Sequence, residues 1–249
     1  MIIQEHMYIK SLKRKRTIDI YVPDDYKGSG KRYPVLFIND GQNAFFDKKA
    51  YAGISWGFLE SVKEMNIDII MVAIPCNFTP LKREDEYGPW IFSKKDASEL
   101  GAHRKIGGEG KKYAKFLVKQ LKPYIDSHYP SDVHNYGIVG SSMGGLISFY
   151  AFLKYPQIFK NCAILSTAFW IYEKQMKNMI RFSRIKNNYL YMDVGGKEGD
   201  SRYIPSNEAI KRALYGKIEH FEYHYFAQDI HHESAWARRV PYFLNMFYK

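Results

Sequence analysis

The apolar positions of this chain fall into two spacings. Ile18, Ile20 and Val22 interleave with Thr17, Asp19 and Tyr21 at a period of two, and Pro23 ends the run, which predicts a strand with one wet face over 17–22. Four runs are instead apolar without interruption: 35–38, 69–74, 136–139 and 163–165. Residues 189–194 are nearly so, with Asp193 inside the run. Such runs predict strands buried on both faces. Between them the spacing becomes helical. Tyr113, Phe116, Leu117, Leu121, Tyr124 and Ile125 share one helical face. Residues 143–155 predict a helix that stops before Pro156. Ser206 and Gly216 bracket another as cap and stop. A strand over 222–226 and a helix over 234–247 complete the series.

Strands alternating with helices predict a mostly parallel central sheet with helices on both faces, an α/β architecture. Ligands of such sheets bind beyond the carboxyl ends of the strands. Residues 77–110 and 166–185 are too long for simple turns and are expected to roof that end. With no internal repeat or low-complexity linker, residues 1–249 are expected to form one domain.

Composition narrows the function classes. The net charge is +11, yet the Lys and Arg are scattered and no nucleic-acid-binding signature is present, so no nucleic-acid partner is expected. No apolar segment approaches the length of a membrane span, and the first residues lack the pattern of a signal peptide. Cys76 and Cys162 lie at or near the ends of apolar runs and predict buried thiols rather than a disulfide framework. No Cys/His cluster has zinc-ligand spacing, so no metal is expected. These readings together point to a cytoplasmic protein.

The chemistry is concentrated at three connections. Gly140-Ser141-Ser142-Met143-Gly144 matches G-x-S-x-G between a predicted strand and a predicted helix, the context of a nucleophile elbow. Small residues are needed on either side because the turn is strained, and the helix N-terminus stabilises developing negative charge. Ser142 is thus the candidate nucleophile. A serine needs a base, and the base needs an orienting acid. Acid then histidine follow the serine in chain order, each after a strand: Asp193, Glu198 and Asp200 near 189–194, then His231 and His232. Glu198 is preferred over Asp200 and Asp193, because it lies beyond the strand within reach of a loop histidine. The oxyanion hole is expected from the Met143 amide and the Gln42 amide, which Gly41 aims at the site. Tyr87, Trp90 and Trp170 lie in the two long stretches and are expected to line the substrate pocket.

With these residues in view, the chain resembles the putative esterase (esterase D-like) family of α/β-hydrolases, in particular its bacterial intracellular branch. The resemblance rests on 34–43, 83–90, 107–110, 140–145 and 166–170, then on His231, Glu233 and Trp236, and spans about 15–247. The His-x-Glu-x-x-Trp spacing favours His231 over His232 as base. The resemblance implies the α/β-hydrolase fold and hydrolysis of a small-molecule carboxylic ester without a cofactor, through an acyl-enzyme. An acyltransferase on the same triad is the nearest alternative. A siderophore-ester, feruloyl or acetyl-sugar esterase, or a non-catalytic binding protein on the fold, stand further off. Neither the natural ester nor the oligomeric state is legible.

Overall fold

The computed structural model describes residues 1–249. Eight strands form one sheet: β1 (Ile2–Ile9), β2 (Arg14–Tyr21), β3 (Tyr33–Asn39), β4 (Ile70–Ile74), β5 (Ser131–Ser141), β6 (Phe159–Leu165), β7 (Tyr189–Lys197) and β8 (His220–Ile230). Their spatial order is β1-β2-β4-β3-β5-β6-β7-β8. The β1–β2 and β2–β4 pairs are antiparallel, and every pair from β4 to β8 is parallel. The uninterrupted apolar runs occupy the parallel part, as two-sided burial requires.

The helices are α1 (Phe58–Glu64), α2 (Lys82–Tyr87), α3 (Lys94–Glu99), α4 (Gly110–Phe116), α5 (Lys122–His128), α6 (Ser142–Lys154), α7 (Glu173–Phe182), α8 (Tyr203–Leu214) and α9 (Glu233–Tyr248). One strand shows how the sheet divides the core. Val35 and Phe37 of β3 pack with residues of α4, α6, α7 and α8, whereas Leu36 and Ile38 pack with α1 and α9. The alternation of side chains along a strand makes that division.

Two expectations need correction, and one strand went unread. The stretches 77–110 and 166–185 are not bare loops, since they fold into α2 and α3 and into a short turn followed by α7. Their helices are short, and α2 is held by polar contacts that apolar periodicity does not register. The helix read as starting at Ser206 starts at Tyr203, and the Ser206 hydroxyl donates to the Tyr203 carbonyl at 3.0 Å, an interior bond rather than a cap. The edge strand β1, mostly half-exposed or exposed, lacked an apolar face strong enough to read. No helix is long and apolar enough to cross a membrane.

Candidate active site

The β5–α6 turn carries Ser142 at φ 54, in the left-handed region that non-glycine residues seldom adopt. Glycines allow the turn to close. A methyl group at Gly140 would come within 2.4 Å of the Gly144 carbonyl carbon and oxygen. Below the turn, the Asn39 side-chain amide donates to Ser148 Oγ and Ser148 donates to the Gly144 carbonyl, both at 2.7 Å. Tyr113 donates to Asn39 Oδ1 at 2.6 Å. The end of β3 thus pins the first turn of α6. Gly140→Ala is expected to destabilise the fold by about 1–3 kcal/mol, the usual cost of overpacking a core. Thermal unfolding of that variant checks it.

His231 immediately follows β8, and Glu198 immediately follows β7. His231 Nδ1 lies 2.5 Å from Glu198 Oε2. The other carboxylate oxygen, Oε1, accepts from Ser166 Oγ at 2.6 Å and from the Gly195 amide. Burial pushes the Glu198 carboxyl up, but hydrogen bonds from His231 and Ser166 bring it net below its ordinary value, so it is ionised. A carboxylate there accepts a hydrogen bond from Nδ1–H and leaves the lone pair of His231 on Nε2, which faces the Tyr203 hydroxyl. The contact with Ser142 runs through a third residue: the Tyr203 hydroxyl is 3.2 Å from Ser142 Oγ and 3.4 Å from His231 Nε2.

The other acid candidates are committed elsewhere. Asp193 is fully buried against Arg239 at 2.8 Å, and burial raises its pKa to about 6 despite that partner. Asp200 is bound by the Arg202 guanidinium, which holds its carboxyl below the ordinary value. His232 accepts the Ser234 amide as the cap of α9.

A cleft of about 630 Å³ opens over these groups. Gln42, Cys76, Arg83, Ser142, His231 and Trp236 are among its lining residues. Gln42 sits in the 3-10 turn Gly41–Asn43, and its side-chain carbonyl accepts the Cys76 amide at 3.1 Å. Met143 follows Ser142 in the first turn of α6. None of the three predicted pocket aromatics lines the cleft. Tyr87 is completely buried and its hydroxyl accepts the Asp40 amide at 2.9 Å. Trp90 packs edge-on against Tyr150 and Tyr172. Trp170 stands under the Arg202 guanidinium and packs edge-on against Tyr203, and it is not among the residues lining the cleft. The cleft wall from the first long stretch is Asn77–Leu81 with Arg83 and Glu84.

Sequence reasoning missed Tyr203. It opens α8, 61 residues from Ser142, and shares the buried face of that helix with Ile210 and Leu214, a spacing that marks core and gives no sign of a serine partner. Only the tertiary fold brings it to the serine.

A strained serine at a strand-to-helix turn, at the carboxyl end of a mostly parallel sheet, defines the α/β-hydrolase fold. The chain belongs to the putative esterase family, whose model matches residues 9–244, and is therefore an esterase. The protein YbbA of Bacillus subtilis (strain 168) is 27% identical over 203 residues, covering 79% of this chain and 74% of that protein. The crystal structure of the BES protein from Bacillus cereus has a TM-score of 0.78 at 20% identity, covering 100% of this chain and 96% of that one. That of an IroE-like serine hydrolase from Shewanella oneidensis has a TM-score of 0.79 at 18% identity, covering 99% and 80%. Both structural likenesses show the fold alone.

Proposed function

We propose that this esterase is a serine carboxylic-ester hydrolase with Ser142 as nucleophile, His231 as base and Glu198 as the orienting acid. The observation that carries the reading is the continuous polar line from buried Glu198 through His231 and the Tyr203 hydroxyl to Ser142. Ser142 attacks the ester carbonyl and His231 takes up the proton. The Met143 and Gln42 amides receive the oxyanion. His231 then protonates the departing alcohol, and water cleaves the acyl-enzyme by the same route. Neither step draws on a cofactor. The substrate is a small-molecule ester in the 630 Å³ cleft. A cytoplasmic setting belongs to the same reading and rests on two buried free thiols, Cys76 and Cys162.

The test is covalent. An organophosphonate ester with a p-nitrophenol leaving group is expected to inactivate the enzyme and to leave one adduct, on the peptide containing Ser142. Ser142→Ala should take up none. An adduct on neighbouring Ser141 or on Ser166 would overturn the assignment.

A further inference from the structure

In a serine hydrolase of this kind the histidine is expected to meet the nucleophile directly. Here the Tyr203 hydroxyl occupies the space between them, at 3.2 Å from Ser142 Oγ and 3.4 Å from His231 Nε2. The ring that carries it is held on several sides. It is only 8% exposed, lies 4.5 Å from the His231 ring and packs edge-on against Trp170 at 6.4 Å. Trp170 is in turn covered by the Arg202 guanidinium at 3.7 Å, which is ion-paired to Asp200 and Glu99. Swinging the phenol aside would disturb that stack. A hydroxyl so placed accepts with its oxygen and donates with its hydrogen.

We propose that Tyr203 is a fourth catalytic residue, a hydroxyl that carries the proton between Ser142 and His231. The proposal rests on the triad reading above. As Ser142 Oγ bonds to the ester carbonyl carbon, the carbonyl π pair moves onto its oxygen. The Ser142 proton passes to the Tyr203 oxygen, and the Tyr203 proton passes to His231 Nε2. Collapse of the intermediate breaks the bond to the alkoxide, and the same line run in reverse delivers a proton to the leaving alcohol. In deacylation water replaces the serine as the proton source. Protons balance at every stage, because Tyr203 gives one as it takes one and ends each step neutral. Burial pushes its phenol above the ordinary value, so the hydroxyl holds its proton until His231 accepts it.

Two measurements test the relay. Tyr203→Phe keeps the ring and removes the hydroxyl. Single-turnover acylation by p-nitrophenyl acetate is expected to slow by about 10²-fold or more, the usual scale of a general acid–base contribution. KM should change little and the melting temperature should stay close to wild type. Retention of near-wild-type acylation would overturn the relay. The second measurement uses the unaltered protein. Acylation rates in mixtures of light and heavy water should follow a bowed curve, the signature of more than one proton in flight. A straight line would overturn the relay even if the variant were slow, since packing alone would then account for the loss. Ser142→Ala and His231→Ala separate the two readings. If they keep activity the triad itself is wrong. If they lose it while Tyr203→Phe keeps it, only the relay is wrong.

Discussion

Glu198→Gln is expected to lower kcat by about 10⁴-fold, the order of loss when a triad acid becomes its amide. The geometry explains so large an effect from exchanging one oxygen for nitrogen. Oε1 accepts from both Ser166 Oγ and the Gly195 amide, so an NH2 group placed there would face two donors. Placed instead at Oε2, it would face His231 Nδ1 at 2.5 Å. It could then only donate, which forces the imidazole proton onto Nε2. A protonated Nε2 in neutral imidazole has no lone pair for the incoming proton. Asp200→Asn should leave kcat near wild type, because that carboxylate is held by Arg202 and makes no hydrogen bond to His231. Parallel steady-state kinetics decide the matter. A larger loss at Asp200 would move the acid role there.

Arg239→Met is expected to cost about 3–5 kcal/mol, the scale for breaking a buried ion pair from one side. For a chain of this size that lowers Tm by roughly 10 °C. Arg239 is completely buried and donates to Asp193 at 2.8 Å, Asp229 at 3.0 Å and Ser166 Oγ at 3.1 Å. Without it Asp193 is left as a lone carboxylate in the core. The loss should depend on pH, with a definite sign. The Asp193 pKa is raised by burial to about 6 even with Arg239 present. Above its unfolded value, therefore, the native state binds the more protons, and stability falls as pH rises through that window. Removing Arg239 raises Asp193 further and widens the window upward. Denaturant unfolding should accordingly show a larger deficit at pH 8 than at pH 5. A pH-independent deficit would mean that Asp193 keeps its charge state by other means. Replacing both Arg239 and Asp193 by apolar residues should recover part of the loss.

What the sequence disclosed follows from the range of each constraint. The elbow was legible because its constraint is local: Gly140 and Gly144 meet each other across one turn. Positions on the sheet were legible because two-sided burial writes continuous apolar runs, as at 35–38 and 69–74. Chain order after parallel strands pointed to the regions of Glu198 and His231, the place of Glu198 beyond the strand favoured it, and the His-x-Glu-x-x-Trp spacing separated His231 from His232. Tyr87 was misplaced because no apolar period in its stretch marks α2. Folding that stretch into α2 turned the ring inward onto the Asp40 amide. Tyr203 and Arg239 were silent for a different reason. Their partners lie far off in sequence, and polar contacts between distant elements leave no periodic trace.

The short helix α2 joins three remote parts of the molecule within a single turn. Arg83 grips Asp40 in the turn after β3 with bonds of 2.8 and 2.7 Å. Asp85 accepts from Arg104 and from the Gly107 amide. Glu86 takes the Arg16 guanidinium of β2 at 2.9 Å. A change at any of these positions strands a charge somewhere else, so this wall of the cleft can drift only by paired replacements. In the lining of the same cleft, Tyr51 and Phe78 are 84% and 68% exposed and take part in none of these ion pairs. The cleft therefore has one set of residues frozen by mutual obligation and another open to single-step variation. A lineage of such enzymes in search of a new ester would find its freedom on the second.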